Sequence, residues 1–385
     1  MKILVVNCGS SSLKYQLIDM DDYKVLANGK CDKIGVKSIN MPFIEYKGVG
    51  EKVIQELDLP NHTVAFEEVV RYLTDSEIGV IKDLGEIDAI GHRFVHGGSE
   101  FTKSVIVTDD VLEVCKKYIE YAPIHNPANL QGIEACRKIM PEIPQALVFD
   151  TAFHTTIPEH AALYAIPYEY YEKYGIKKYG FHGTSHKYIT ESAAKKLGKD
   201  ISELNIISCH LGNGSSVAAV KGGKSVDTSM GLTPLEGLIM GTRSGDLDPA
   251  VLEFVMKKEG ITIEEMINIL NKKSGMLGIS GITGDVRDLK QLVSEGNERA
   301  KLALDMFAYK VRKTIGSYMV VLGHVDAIIF TGGIGEYNPQ LVEQIVSGLE
   351  EFGIEYNNPD SKIKVMVIPT NEELKIAEET MELVK

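Results

Sequence analysis

Two segments of the sequence, one at the start and one just past the middle, repeat the same order of strand, small-residue turn and strand. In both, apolar residues typical of strands flank a run rich in Gly, Ser and Asn, as in a hairpin. The segments are 3–18, with its turn at 7–12, and 205–220, with its turn at 210–216. The repeat predicts two related domains that face each other across a cleft.

Helical patterns alternate with strands along the rest of the chain. Apolar residues recur every three or four positions most clearly over 298–322, which leads into a strand at 325–330. Further helices are expected at 109–121, 128–139, 186–197 and 249–258, and a further strand at 146–149. This alternation predicts an α/β fold.

The composition is that of a globular protein with an acidic charge balance. The chain has 385 residues, of which 44% are hydrophobic and 25% charged, and a formal net charge of −13. That charge argues against general binding to nucleic acid or to an anionic membrane surface. The five cysteines contain no C-x-x-C pair, so neither a zinc ribbon nor a disulfide framework is indicated. Without a signal peptide or a bilayer-spanning apolar stretch, we expect a soluble, cytoplasmic protein.

Three Gly- or Ser-rich turns follow strands with a buried pattern, at 7–12, 210–216 and 331–336. Small residues let the backbone approach a ligand closely and leave N–H groups free to bind phosphate oxygens. None of the turns matches a Walker loop or a Rossmann dinucleotide fingerprint. Any one alone is more often an ordinary hairpin, but together they favour a nucleotide-phosphate site.

Two arginines lie among small residues in this acidic chain. Arg93 is in the segment 91–98 and Arg243 in the segment 241–246. Glycine neighbours leave a guanidinium accessible, and its planar fork suits carboxylate and phosphate oxygens. Either could be an ordinary loop arginine, but the two together are better explained as an anion clamp.

An aspartate and a histidine are further candidates for chemistry. Asp150 directly follows an apolar strand, and carboxyl-end positions of such strands commonly face a site. His182 lies between Gly180 and Gly183, which favours a functional role over a structural one. Its spacing to His186 permits a metal pair, although the intervening glycine argues against a zinc helix. The absence of G-x-S-x-G argues against a serine hydrolase.

Several motifs resemble those of acetate kinases, and they occur in the family's order over the whole chain. The two most specific are NCGSSSLK at 7–14 and GFHGTSH at 180–186. The others are HRFVHGG at 92–98, APIHNP at 122–127, FDTAFH at 149–154, HLGNG at 210–214, MGTR at 240–243 and PTNEEL at 369–374. Butyrate kinases more often open with Asn-Pro-Gly-Ser-Thr-Ser, which this chain lacks.

The resemblance implies a member of the superfamily of acetate and sugar kinases, heat-shock ATPases and actin. Its fold would be a two-domain actin-like (ribonuclease H-like) ATPase, with duplicated α/β domains around a central cleft. The implied domains are 1–152 and a nucleotide-binding domain at 153–373, with 374–385 returning to the first. Members are typically homodimers and use Mg²⁺, for which Mn²⁺ can substitute.

The family's site residues carry over to matching positions of this chain. The implied catalytic residues are Asp150 as acid/base and His182 and Arg243 as transition-state stabilisers. Those implied for acetate are Arg93, Val95, Ile124, Phe181 and Pro234. The implied ATP contacts are Lys14, His210, Leu211, Gly212, Asn213, Gly214, Asp285, Val286, Arg287, Gly332, Gly333, Ile334, Gly335 and Glu336. The implied magnesium residues are Asn7 and Glu372, with Glu373 as the alternative to Glu372. After Glu336 the family usually has asparagine, whereas this chain has Tyr337 and then Asn338.

The implied reaction is a reversible, direct in-line transfer of the γ-phosphoryl group of ATP to acetate, giving acetyl phosphate and ADP. Acetate is already ionised at neutral pH, so we expect Asp150 to orient an arginine or a metal-bound water instead of moving a proton. A propionate-preferring kinase of the same family stays open, because the two acids differ by one methylene. An ATP-switched binding protein of the actin or chaperone type is a second alternative, but it does not account for Arg93 and Arg243 together.

Overall fold

The computed structural model describes residues 1–36, 41–123 and 125–385, and these form two compact units. Unit 1 comprises Met1–Ala152 and Asn371–Lys385, and unit 2 comprises Phe153–Thr370. Each unit contains one sheet and several helices, so the predicted α/β class is confirmed. None of the helices in the described ranges is long and apolar enough to cross a membrane.

Strands and helices alternate along both units. The strands are β1 (Lys2–Gly9), β2 (Ser12–Asp19), β3 (Lys24–Asp32), β4 (Phe43–Lys47), β5 (Val53–Glu56), β6 (Ala89–Phe94), β7 (Val105–Ile106), β8 (Gln145–Phe149), β9 (Asn205–Leu211), β10 (Ser215–Lys221), β11 (Lys224–Thr228), β12 (Ala327–Thr331) and β13 (Lys364–Val367). The helices are α1 (His62–Leu73), α2 (Asp109–Lys117), α3 (Asn126–Ile139), α4 (Glu159–Ala162), α5 (Glu169–Tyr174), α6 (Gly183–Leu197), α7 (Ala250–Glu259), α8 (Ile263–Lys272), α9 (Gly275–Ser280), α10 (Val286–Ser294), α11 (Glu298–Leu322), α12 (Gly332–Tyr337), α13 (Pro339–Val346) and α14 (Glu372–Val384).

The repeat seen in the sequence corresponds to two antiparallel hairpins. In unit 1, β1 and β2 pair up to Gly9 opposite Ser12, which leaves a turn of two residues. In unit 2, β9 and β10 pair up to Leu211 opposite Ser215, which leaves the turn 212–214. The predicted pair of equivalent hairpins is therefore present, one in each unit.

The likeness between the units extends to the order of their strands. The segment β3-β2-β1-β6-β8 of the unit 1 sheet corresponds to the whole unit 2 sheet, β11-β10-β9-β12-β13. In both, the first three strands are antiparallel, and the third then pairs in parallel with the fourth, and the fourth with the fifth. The carboxyl ends of β1, β6 and β8 therefore lie at one edge of their sheet, where ligands commonly bind.

Helix α14 packs on the unit 1 sheet although it follows all of unit 2 in the chain. The sheet accommodates it at Gly91, where a Cβ would lie only 2.7 Å from the Ile376 side chain and 2.4 Å from Thr380 Oγ1. The buried cluster between the helix and the sheet contains Ile3, Val5, Ile18, Met20, Ala89, Val148, Ile376 and Ala377. This packing fixes the start of α14, where Glu372 lies.

Helix α11 is the main apolar support of the unit 2 sheet. It runs over the predicted range, and Phe307, Val311 and Ile315 on one face join the largest buried cluster of the unit. A second buried cluster, which includes Ile189 and Ala193 of α6, packs against the other face of the sheet. Burial on both faces holds β9 and its turn in a fixed position.

Candidate active site

Arg93 and Asp150 form an ion pair at the carboxyl edge of the unit 1 sheet. Arg93 lies in β6, and Asp150 follows β8, its N–H donating to the Phe94 carbonyl at 3.0 Å. Arg93 Nε donates to Asp150 Oδ1 at 3.0 Å and Nη2 to Oδ2 at 2.6 Å. Asp150 is 1% exposed and the Arg93 side chain 24%. Nη1 donates to no described residue, so part of the guanidinium remains available to a ligand.

The ion pair with Asp150 keeps Arg93 protonated. Burial lowers the Arg93 pKa, but the charge of Asp150 and its hydrogen bonds raise it by more, so the net shift is upward. A two-point contact with a carboxylate also fixes the plane of the guanidinium. Arg93 is therefore a permanent cation with a defined orientation, which suits the binding of a small anion.

Glu372 belongs to the same charged group. It is the first residue of α14, and its carboxylate makes no hydrogen bond with a described residue. Burial raises the pKa of Glu372 to about 7, with Arg93 opposing the shift and Asp150 adding to it. Lys14 also opposes the shift, and this lysine pairs across the β1–β2 hairpin with Asn7. Asn7, Lys14, Arg93, Asp150 and Glu372 are thus gathered in unit 1.

The donor set of unit 1 fits a hard divalent cation with few protein ligands. Among the described residues, no cluster of three His, Cys, Asp or Glu side chains could hold a metal ion. Asn7 and Glu372 nevertheless offer oxygen atoms, and Mg²⁺ is usually bound by one or two carboxylates together with water and substrate phosphates. Burial disfavours the charged form of Glu372, so a nearby cation would stabilise it.

Arg243 has no acidic partner in the described part of the chain. It lies between β11 and α7, and its Nη1 donates to the Pro234 carbonyl at 2.7 Å. Its Nη2 borders the β9–β10 turn, since a Cβ on Gly214 would be 2.6 Å away. Burial lowers the pKa of Arg243. A partly buried cation without a carboxylate is costly, so this position indicates an anion site beside Gly214.

His182 borders the same turn. It immediately precedes α6 in the left-handed conformation, with φ of 56°. Its Nδ1 is 2.9 Å from Ser216 Oγ, and its ring stacks on His210 with 4.2 Å between centroids. A Cβ on Gly214 would lie 3.5 Å from His182 Cε1. The structure thus brings His182, His210 and Arg243 together around the turn.

His186, the second histidine of the possible metal pair, lies among serine hydroxyl groups. Its Nδ1 is 2.6 Å from Ser208 Oγ and its Nε2 is 2.8 Å from Ser216 Oγ, so both ring nitrogens have partners. Burial lowers the pKa of His186 well below its ordinary value. Its contact with Ser216 positions the hydroxyl group that contacts His182, a supporting role that the sequence motif alone does not indicate.

A cavity of about 470 Å³ opens beside the β9–β10 turn in unit 2. Its lining includes these predicted ATP contacts: Gly212, Asn213, Asp285, Val286, Arg287, Gly333 and Ile334. It also includes four residues that were not predicted as contacts: Thr242, Gly284, Tyr337 and Asn338. Thr242, Gly284 and Tyr337 each adjoin a predicted site residue in sequence, and Tyr337 is also a departure from the family pattern.

The Gly-rich segment after β12 is a short helix, α12, instead of the expected turn. The side-chain carboxylate of Glu336 in this helix is hydrogen-bonded to other residues of the protein. Its Oε1 accepts hydrogen bonds from Gly332 N at 2.9 Å and from Thr370 N at 3.1 Å, and also from Thr331 Oγ1 at 3.1 Å. The Glu336 carboxylate therefore ties the start of α12 to the strand-end segment near Thr370, while Gly333 and Ile334 line the cavity.

The residues predicted around the substrate methyl group lie in both units. Val95 is buried in unit 1, and Phe181 is buried in unit 2. Pro234, also in unit 2, contributes the carbonyl that holds Arg243. Ile124 lies outside the described residues. Of the remaining predicted ATP contacts, Leu211 is fully buried in the unit 2 core and Lys14 is exposed in unit 1.

Known proteins resemble the chain over its full length. A model described as the Acetokinase family matches residues 2–378. The protein "Acetate kinase" of Acetivibrio thermocellus is 54% identical over 400 residues, covering 100% of both chains. That of Thermoanaerobacter pseudethanolicus is 56% identical, covering 100% of this chain and 99% of the relative, and that of Methanosarcina thermophila is 54% identical, covering 100% and 97%.

Solved structures agree with these relatives. The crystal structure of Porphyromonas gingivalis acetate kinase superposes with a TM-score of 0.94 at 45% identity, covering 100% of both chains. The structure of a propionate kinase from Francisella tularensis superposes with a TM-score of 0.93, also at 45% identity, covering 99% of both. The predicted fold class, with duplicated α/β domains, is confirmed. The chain belongs to the acetokinase family.

Proposed function

We propose that this protein transfers the γ-phosphoryl group of ATP to acetate, reversibly, with acetyl phosphate and ADP as products. The observation that carries the proposal is the partly buried Arg243 guanidinium, which has no acidic partner in the described chain and lies beside Gly214 and His182. Phosphoryl transfer spreads negative charge over the equatorial oxygens, and a preorganised cation stabilises that charge. The relatives named acetate kinase support a carboxylate as the acceptor.

Arg93 would hold the acceptor. Its Nε and Nη2 are occupied by Asp150, which leaves Nη1 for a carboxylate oxygen of acetate. Holding one anion on a fixed guanidinium lowers the electrostatic and entropic cost of its approach to a second anion. Because acetate is an ionised nucleophile, no proton has to be removed from it.

Asp150 would act as a positioning residue for Arg93. Both of its oxygens accept hydrogen bonds from the guanidinium, and it is almost fully buried. This geometry supports the expectation that Asp150 orients an arginine, and it gives the carboxylate a role that needs no change of protonation during transfer.

The nucleotide would occupy the 470 Å³ cavity of unit 2, with its phosphates toward the turn 212–214. His182 and Arg243 border that turn and would contact the transferring group. Asn7 and Glu372 would hold Mg²⁺ through their oxygen atoms. When bound, Mg²⁺ neutralises charge on the phosphate oxygens.

Propionate is the competing acceptor. Its extra methylene changes binding by only about 1–3 kcal/mol in an apolar pocket. The F. tularensis propionate kinase resembles this chain at 45% identity, whereas relatives named acetate kinase reach 56%. We therefore propose acetate as the preferred acid.

A homodimer and a cytoplasmic location complete the proposal. Exposed apolar side chains on the adjacent helices α7 and α8 offer a surface for a second copy, namely Val251, Phe254, Ile263 and Ile267. Light scattering should give twice the mass of the 42.4 kDa chain, and Phe254→Glu should shift it toward the monomer. All five cysteines are unpaired, which supports a reducing compartment.

The test of the reaction is to trap its product. Purified protein is mixed with Mg-ATP and acetate in hydroxylamine, and acetyl hydroxamate is measured, with propionate and butyrate in parallel. Acetate-dependent hydroxamate, in larger amount than with propionate, supports the proposal. Hydrolysis of ATP without hydroxamate would exclude a carboxylate acceptor, and a preference for propionate would overturn the choice of acid.

A further inference from the structure

A single carbonyl holds the guanidinium of Arg243. Arg243 Nη1 donates to the Pro234 carbonyl at 2.7 Å, and this guanidinium makes no other hydrogen bond in the described part of the chain. Pro234 lies in the segment 231–237, which contains neither helix nor strand. The orientation of Arg243 beside Gly214 therefore depends on how firmly this segment is held.

Hydrogen bonds anchor the two ends of the segment. The Gly231 carbonyl accepts from the N–H groups of residues 179 and 180, both at 3.1 Å. At the other end, Gly237 N donates to Asp246 Oδ1 at 2.8 Å. The ends are therefore fixed, and the position of the carbonyl that binds the arginine depends on contacts to the middle of the segment, residues 232–236.

Tyr164 supplies the contacts to the middle of the segment. It follows α4, and its hydroxyl group accepts from Leu232 N at 2.8 Å and donates to a carboxylate oxygen of Glu236. Apart from the arginine contact, no other hydrogen bond joins residues 232–236 to the remainder of the described chain. One hydroxyl group thus holds the residue two positions before Pro234 and the residue two positions after it.

The hydrogen-bonded pair of Tyr164 and Glu236 packs directly on the backbone of Gly231. A Cβ at Gly231 would collide with Glu236 Oε2 and with Tyr164 Oη, so only glycine fits here. Burial raises the pKa of Glu236, and the hydrogen bond from Tyr164 opposes that shift. Burial and the neighbouring Glu236 raise the pKa of Tyr164, so its hydroxyl group stays protonated and can donate. The pair is therefore a tightly packed link with a defined direction.

We propose that Tyr164 is a positioning residue for phosphoryl transfer, because it fixes the Pro234 carbonyl and thereby orients the Arg243 guanidinium. Glu236 in turn holds the Tyr164 hydroxyl group. This role rests on the proposed function, in which Arg243 stabilises the transferring group. Such stabilisation depends on donors that are in place before the reaction, and a misplacement of about 1 Å can cost about a hundredfold in rate.

The test measures kcat in the hydroxamate assay with saturating Mg-ATP and acetate. Tyr164→Phe removes only the hydroxyl group, and we expect kcat to fall about 10- to 100-fold. The calorimetric Kd for ADP should stay within about twofold. Glu236→Gln keeps an acceptor oxygen for the hydroxyl group and should retain kcat within about threefold, whereas Glu236→Ala should not. Tyr168→Phe is the matched control, since it removes the hydroxyl group of an exposed tyrosine in the same unit.

A double-mutant cycle distinguishes a positioning role from a general effect on the fold. If Tyr164 acts through Arg243, then Tyr164→Phe should change kcat by less than about twofold in an Arg243→Ala background. Loss of the same factor in both backgrounds would overturn the inference, because the hydroxyl group would then act independently of the guanidinium. An unchanged kcat in Tyr164→Phe alone would also overturn it. If thermal unfolding shows that Tyr164→Phe does not fold, Glu236→Ala is carried through the same cycle with the same two outcomes.

The unmodified protein separates this failure from that of the reaction. Hydroxamate formation that is insensitive to Tyr164→Phe overturns only the positioning role. Absence of hydroxamate with acetate, propionate and butyrate overturns the proposed reaction, and with it the role of Tyr164.

Discussion

The protonation of Glu372 predicts how nucleotide binding depends on pH. Its carboxyl has a pKa of about 7 because it is buried, and a carboxylate must lose its proton before it can bind Mg²⁺. For a single group of this pKa, the ionised fraction falls from about nine-tenths at pH 8 to about one-tenth at pH 6. The contribution of Glu372 to the affinity for Mg-ADP should therefore fall about tenfold between these values.

The assay is calorimetric titration with Mg-ADP at pH 6, 7 and 8. Glu372→Gln serves as the reference, because dividing by its affinity at each pH removes the ionisation of the nucleotide itself. Glu382→Gln, which changes an exposed carboxylate near the other end of α14, is the matched control and should keep the tenfold change. If the ratio of wild-type to Glu372→Gln affinity stays constant within twofold from pH 6 to pH 8, then either Glu372 does not bind the metal or its pKa is not raised.

The raised pKa of Glu372 also affects the stability of the metal-free protein. Because the folded pKa of Glu372 lies above the ordinary value of 4.5, the stability that this group contributes is fully present below pH 4.5 and is lost as the pH rises through 7. Mg²⁺ with nucleotide should restore it. The thermal midpoint should thus gain more from Mg-ADP at pH 8 than at pH 6, and an equal gain at both would contradict the argument.

Other residues of the two units give further predictions. Arg93→Ala should chiefly raise the KM for acetate, and an unchanged KM would refute its role. Asp150→Asn should lose most activity without new pH dependence near neutrality, so a large rescue at high pH would show that Asp150 moves a proton. Arg243→Ala should lower kcat by about 10²–10³, as loss of one transition-state charge contact does, with little change in Kd for ADP; a weakened Kd with normal kcat would place it in ground-state binding. Burial lowers the pKa of His92 to about 4, so its stability contribution is present above pH 6.5 and lost on acidification, by about 2 kcal/mol at pH 5. Thermal unfolding of His92→Asn should therefore change less between pH 8 and pH 5 than that of the wild type, and an equal change would argue against it.

The parts of the fold that the sequence predicted are those specified by local pattern. Each of the segments 3–18 and 205–220 has one small-residue turn between two apolar strands, and the structure contains both predicted hairpins. Helix α11 matched its predicted range because twenty-five residues carry one consistent apolar face. The segment 331–336 was expected to be a turn but forms α12, because six Gly-rich residues are too few to show helical periodicity.

The parts of the site that the sequence could not predict are those that depend on long-range contact. The sequence indicates both Arg93 and Asp150 as site residues, but they are far apart in the chain, and no local pattern shows that the Asp150 carboxylate pairs with the guanidinium. The stacking of His182 on His210 likewise joins residues that are far apart in the chain, so no local pattern shows it. In the sequence, Tyr337 stands out only as a departure from the family pattern, and its place beside the cavity is seen only in the structure.

The position of α14 has a consequence for how the chain is made. Unit 2 is continuous, from Phe153 to Thr370, and all of it leaves the ribosome before α14 does. Until then the face of the first sheet that contains Ile3, Val5 and Ala89 has no cover. Domains usually fold in the order of their synthesis, but here unit 1 begins first and is completed last, when α14 has been made. A nascent chain therefore carries an uncovered sheet for most of translation, and Glu372 is added to the first unit only at the end.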